Sequence, residues 1–149
     1  MNNKPLPYLL AALVCERVIE GKDGAISIVR IADRIELQMD EAPSGTYTAP
    51  RFTLDGVICL RSGPVTGDFT LKINLEKPSG KTKELRSLPV KLLGSDHGEN
   101  FVLNFELKGD EEGLHWFQVL FDGEMLTRIP FMIVRVPAKP RSVASSSET

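Results

Sequence analysis

Residues 113–136 read G-L-H-W-F-Q-V-L-F-D-G-E-M-L-T-R-I-P-F-M-I-V-R-V, two runs rich in β-branched and aromatic side chains that meet at Asp122-Gly123. Asp-Gly tolerates the positive φ that a tight turn demands, so this stretch is expected to form a β-hairpin. Two registers compete. A two-residue type I′ loop pairs Trp116 with Ile129, whereas a three-residue loop with Gly123 as a bulge pairs Phe117 with Thr127 and His115 with Ile129. In the second strand Met125, Thr127, Ile129, Phe131 and Ile133 make the cleaner apolar face, against Leu126, Arg128, Pro130 and Met132.

The lead-in Glu111-Glu112-Gly113-Leu114-His115-Trp116-Phe117 resembles the tyrosine corner of immunoglobulin-type sandwiches, with His115 where the tyrosine usually stands and Phe117 where the cysteine stands. That resemblance favours the bulged register, with His115, Phe117 and Val119 inside. Leu114, Trp116 and Leu120 then point outward together with Leu126, Arg128 and Met132. A Trp, an Arg and several large aliphatics on one sheet face match the residue types enriched at interface centres, so these six are the expected interaction surface. A stack of Arg128 on Trp116, or a covering strand, is the competing account of the same residues.

Upstream, strand-like runs recur at roughly 8–19, 25–37, 52–62, 68–76, 83–93 and 100–107, separated by Gly-, Pro-, Ser- and Asp-rich turns. Phe69-Thr70-Leu71-Lys72-Ile73-Asn74-Leu75 and Phe101-Val102-Leu103-Asn104-Phe105-Glu106-Leu107 alternate cleanly, which gives each one apolar and one wet face. No segment sustains helical periodicity. With the hairpin, about eight short strands predict an all-β, antiparallel, immunoglobulin-like two-sheet sandwich. Pro89 and Pro130 fall inside strands and predict edges or bulges there. The expected domain is residues 1–136, and residues 137–149, rich in Pro, Ser and Ala, are expected to be a disordered tail.

A chain of 149 residues with net charge −2 is long enough for one two-layer core and gives no global attraction to nucleic acid or to an anionic membrane. Cys15 and Cys59 are too few for a disulfide framework, and each lies within an apolar run, so both are read as buried free thiols of a reducing compartment. The run Leu9–Cys15 fails as a secretion signal on three counts: one preceding lysine, prolines at 5 and 7, and Val14 where a small residue belongs. No run reaches the ~20 apolar residues of a membrane-spanning helix. The expected location is cytoplasmic.

The chemistry-bearing residues are sparse. There is no G-x-S-x-G, C-x-x-C, H-E-x-x-H or EF-hand spacing, and the two histidines are His97, in an Asp-His-Gly turn, and His115 in the hairpin. No cofactor is expected, and no enzymatic activity. If strands alternate in direction along the chain, the turns near 20–24, 62–67, 94–99 and 122–123 share one end and gather an oxygen-rich set, of which Asp23, Asp96, Glu99 and Asp122 are candidate calcium ligands. Turn chemistry alone also selects Asp at such places. Glu16, Arg17, Arg30, Asp33 and Arg34 interrupt the first two strands, and alternation sets Glu16 and Asp33 on one face and the three arginines on the other.

Cys15-Glu16-Arg17-Val18, Val29-Arg30-Ile31-Ala32-Asp33-Arg34, Glu111-Glu112-Gly113-Leu114-x-Trp116-Phe117 and Asp122-Gly123-Glu124-x-Leu126-Thr127-Arg128-Ile129-Pro130 together resemble an uncharacterised bacterial family of unknown function, over residues 8 to 136. The resemblance implies a bacterial source and a small stand-alone β protein, and it carries no activity and no site residue. The function expected from the residues is that of a non-catalytic binding module, acting on a protein partner or on a copy of itself. Calcium or small-ligand binding is the alternative, and an enzyme of unknown class the second.

Overall fold

A computed structural model of the protein describes residues 5–39 and 49–137. Among these residues the regular structure is entirely β, in seven strands: β1 (Tyr8–Glu20), β2 (Ile26–Ile31), β3 (Arg34–Met39), β4 (Arg51–Glu76), β5 (Thr82–Lys108), β6 (Gly113–Phe121) and β7 (Glu124–Pro137). They join in the order β2-β1-β4-β6-β7-β3, and β5 pairs with β4. β7 includes Pro137, one residue past the expected domain limit, and pairs it with Met39. The rest of the expected tail, 138–149, lies outside the described residues.

Two departures from the expected strands have local causes. The run 25–37 is not one strand but two, because consecutive residues find different neighbours: the Ala32 N–H donates to the Val14 carbonyl, and the Asp33 carbonyl accepts from the Met132 N–H, both at 2.9 Å. β2 therefore stays with β1, while β3 crosses to β7 and runs parallel to it. This parallel pair is a correction to the expected wholly antiparallel arrangement; a strand that arrives by a crossover is free of the hairpin's directional constraint.

The second departure is the reverse. The expected turns at Ser62-Gly63-Pro64 and Gly94–Gly98 are bends inside two continuous strands, where the β4–β5 register shifts. Gly63, at φ 57°, pairs with Ser95, at φ 54°, and the Tyr8 ring lies where a Gly63 side chain would stand, so this bend requires glycine. Before the bend β4 pairs with β1; beyond it β4 pairs with β6. β5 is an edge throughout, which accommodates Pro89. Pro130 sits in β7 just before the β3 pairing begins at Met132.

One core joins the two halves. Val14, Leu54, Ile58 and Leu60 from before the bend pack in the same cluster as Leu71, Ile73, Leu75, Phe117, Val119, Phe121 and Phe131 from beyond it. Phe117 is fully buried, with ring centroids of Phe105 at 5.4 Å and Phe131 at 4.9 Å. The alternation of 69–75 and 101–107 placed the inward residues correctly, although Phe69, Phe101 and Leu103 lie at the margin of the cluster.

A second, smaller cluster was not expected. Cys15, Val57 and Cys59 are buried with Ala11, Leu13, Val18 and Ile26 around them. Leu13 pairs with Val57 and Ala11 with Cys59, alternating with Val14 and Ile58 of the main core, so the β1–β4 pair is apolar on both faces. The sequence signal was the unbroken runs Leu9–Cys15 and Val57–Leu60, typical of strands covered on both sides. Both thiols are free, and burial, the largest influence, pushes each above its ordinary pKa.

Candidate functional site

Asp122 and Gly123 both take positive φ, 47° and 85°, and Phe121 pairs directly with Glu124. The turn is therefore the two-residue kind, not the three-residue loop expected. The bulge exists but has moved into the strand: Leu120 pairs with Met125, the register shifts, and Val119 then pairs with Thr127, Phe117 with Ile129 and His115 with Phe131. His115, Phe117 and Val119 are buried, as the sequence indicated, although Phe117 faces Ile129 instead of Thr127 and His115 faces Phe131 instead of Ile129.

The displaced bulge exchanges two neighbours. Met125, expected inside, is 44% exposed, whereas Leu126, expected on the interaction surface, packs against the core. Leu126 is thus removed from the expected surface set. The other five remain outward. Leu114 is exposed, Trp116, Leu120 and Met132 are half-buried, and Arg128 is exposed beside them. The Arg128 guanidinium carbon lies 4.0 Å from the Trp116 ring centroid, within the range of an effective cation–π contact. Its Nη2 is 3.5 Å from Glu76 Oε1, the same oxygen that accepts from Gln118 Nε2 at 2.8 Å. Three strands, β4, β6 and β7, thereby hold one Trp-centred patch.

Beneath it, His115 is bonded to its own chain: its Nδ1 donates to the Gly113 carbonyl at 2.9 Å. That bond fixes the tautomer and leaves Nε2 buried without a hydrogen-bond partner. Burial pushes the imidazole below its ordinary pKa, more strongly than the Gly113 bond and the nearby Glu111 and Asp110 raise it. His115 is a neutral core side chain.

His97 is not in a turn but within β5. Its Nδ1 accepts from the Leu93 N–H at 3.1 Å and lies 3.4 Å from Ser62 Oγ, and its Nε2 is 3.3 Å from Glu99 Oε1. Serine, histidine and acid stand in line, as in a nucleophilic triad. Yet Ser62 is fully buried, and it shares with the Leu93 amide the Nδ1 lone pair that would have to receive the serine proton. The arrangement ties the bend of β4 to the bend of β5.

The acidic set does not assemble. Among the described residues no group of three His, Cys, Asp or Glu side chains could hold a metal ion. β1 runs from its Tyr8–Arg61 pair to its Cys15–Asp55 pair and onward to its turn, so Asp23 leaves toward the Arg51 end of β4, away from Asp96 and Glu99 at the bend. Asp23 Oδ1 accepts from the Ala25 N–H at 3.1 Å, Asp122 Oδ1 accepts from the Thr70 N–H at 2.8 Å, and Glu99 faces His97. Turn chemistry accounts for Asp23 and Asp122.

The charges of the first strands are also redistributed. Arg30 takes φ 55°, which breaks the alternation and brings its guanidinium to 3.4 Å from Glu16, on the face expected for the opposite sign. Glu16, Arg30, Asp33 and Arg34 then line a cleft of about 330 Å³ with Phe52. An apolar cleft of about 380 Å³ lies over Val65, Phe69 and Phe121 with Asp122 and Glu124 at its rim. Neither was legible in the sequence, since each gathers strands distant along the chain.

A family of unknown function, DUF6941, has a model that matches residues 10–134. No curated protein matches the chain. Among solved structures, the β-glucosidase 3B from Thermotoga neapolitana in complex with glycerol is 16% identical over 59% of this chain and 16% of its own, with a TM-score of 0.44. The CARDB domain of a Pyrococcus furiosus protein in complex with di-metal ions is 12% identical over 87% of this chain and 89% of its own, with a TM-score of 0.42. An immunoglobulin-like protein from Pseudomonas aeruginosa is 13% identical over 89% of this chain and 100% of its own, with a TM-score of 0.36. The chain spans under a fifth of the length of the β-glucosidase.

Proposed function

The chain belongs to the family of unknown function DUF6941, and from that premise we propose that it is a non-catalytic binding module whose outer β6–β7 face takes a protein partner. The fold reading that goes with it is an immunoglobulin-like sandwich, with the β4–β5 ribbon bent from one sheet into the other. A bacterial, cytoplasmic setting accompanies this reading, in keeping with two free thiols. Among the described residues no helix is long and apolar enough to cross a membrane.

The observation that carries the proposal is the outward Trp116 with Arg128 stacked on it at 4.0 Å, framed by Leu114, Leu120 and Met132. Trp and Arg dominate the energetic centres of interfaces, and aliphatic neighbours exclude water around them. Glu76, itself held by Gln118, pairs with Arg128 before any partner arrives, which lowers the entropy lost on binding.

The test is side-by-side affinity capture from the native host with the full chain and with Trp116→Ala, each first shown to be folded by circular dichroism. The proposal expects a protein retained by the wild type and lost by the variant. Identical captures, or a Trp116→Ala chain that unfolds as a core variant would, overturn it.

A further inference from the structure

The apolar cleft of about 380 Å³ at the hairpin turn shares no lining residue with the Trp116 face. Three pieces of chain distant in sequence build it: Pro5 and Leu6 ahead of β1, the bend of β4 from Pro64 to Thr66, and the turn where β6 passes into β7. Its volume falls within the range of small-ligand sites.

The floor is hydrophobic and belongs to the core. Val65 and Phe121 are 3% and 2% exposed, and the Phe69 ring packs on Phe121 with centroids 4.7 Å apart. Leu6 stands at the wall, 38% exposed, so apolar surface of the cleft meets water. A ligand with an apolar body gains free energy by covering it.

The rim carries charge of one sign. Asp122 and Glu124 line it, and no Lys, Arg or His does among the described residues. The Thr70 N–H donates to Asp122 Oδ1 at 2.8 Å, which fixes that carboxylate in orientation. Neither acid has an ion-pair partner among the described residues. Two uncompensated carboxylates beside an apolar floor attract a cation and repel an anion. The Phe69 ring suits the same sign, because an aromatic face attracts positive charge.

We infer that this cleft binds a small organic ammonium, its apolar body over Val65, Phe69 and Phe121 and its protonated amine at the carboxylates of Asp122 and Glu124. A bare metal ion would leave the hydrophobic floor uncovered, and a neutral apolar molecule would leave the two negative charges unanswered. The site goes beyond the protein-binding face and stands without it.

Titration of the full chain with n-hexylammonium, followed by backbone amide shifts, tests the inference, with 1-hexanol and hexanoate as the neutral and anionic counterparts. Hexylammonium is expected to shift residues 65, 66, 69 and 124 saturably, with a Kd of about a millimolar or tighter. Hexanol should bind at least about fivefold more weakly, and hexanoate more weakly still. Glu124→Lys, at an exposed position, should abolish the preference for hexylammonium over hexanol while keeping the hexanol affinity within about twofold and the circular dichroism unchanged. Leu6→Ala should weaken hexylammonium and hexanol by the same factor, about threefold. Absent saturable shifts, shifts centred elsewhere, equal affinity for the three probes, a preference that survives Glu124→Lys, or binding indifferent to Leu6→Ala would each overturn it.

Discussion

Asp122 and Thr70 hold each other twice: the Asp122 N–H donates to the Thr70 carbonyl at 2.9 Å, and the Thr70 N–H donates to Asp122 Oδ1 at 2.8 Å. The side chain continues the β4–β6 ladder by one step, past Leu71–Phe121, where the chain has already turned away. Asp122 also sits at φ 47°, which Asn and Asp tolerate better than other side chains. Asp122→Ala loses both contributions and should cost about 1–3 kcal/mol in a denaturant melt. Asp122→Asn keeps the acceptor and the conformation, and should cost less than half as much.

Phe117 lies fully buried between Phe105 and Phe131, from strands on either side of the β4–β5 bend. Its truncation to Ala removes a ring from each contact and leaves a cavity that rigid β-sheet cannot fill. The expected cost is about 3–5 kcal/mol by chemical denaturation. A loss below about 1 kcal/mol would mean the two halves of the chain do not share that core.

The displaced bulge makes a paired test. Leu126→Ala should cost about 1–2 kcal/mol, since Leu126 packs against the core. Met125→Ala should fall within about 0.5 kcal/mol, as an exposed substitution does. With the bulge at Gly123 the two effects would be exchanged, so thermal melts of the pair read the register directly.

His97→Ala is expected to destabilise by about 1–3 kcal/mol. It leaves the buried Ser62 hydroxyl and the Leu93 amide without the partner they share. His97→Asn, which offers a side-chain acceptor of shorter reach, should recover part of the loss. An unchanged melting temperature in His97→Ala would show that the two bends stand without this tie.

His115 contributes a pH dependence whose sign follows from its burial. Its folded pKa lies below the ordinary histidine value, because the charged form is disfavoured in the core. The stability is therefore fully present above about pH 6.5 and is lost as pH falls through the lower folded pKa, since the unfolded chain takes up the proton first. His115→Phe keeps a planar ring against Phe131 and should flatten this part of the stability profile, while leaving the carboxylate-driven loss at more acid pH. Unfolding free energies at matched pH for both chains give the comparison.

The sequence by itself determined what rests on neighbours along the chain. Asp122-Gly123 located the hairpin, alternation assigned inward faces to Phe69–Leu75 and Phe101–Leu107, and the spacing of His115, Phe117 and Val119 identified the buried side of β6. Four outward neighbours of Trp116 were legible for the same reason. What only the tertiary structure decided is which strand lies beside which, and where a strand may stop. Ser62-Gly63-Pro64 reads as a turn, yet β5 accompanies β4 through it, so the pairing continues as a bend. Ala32-Asp33 reads as strand interior, yet its two residues bond to different neighbours, so the strand changes place. A one-residue slip at Leu120 sends Leu126 inward, because a period of two inverts with any odd shift. The same non-local pairing places β2 at the edge and leaves its isoleucines uncovered, a consequence of strand order that no local pattern encodes.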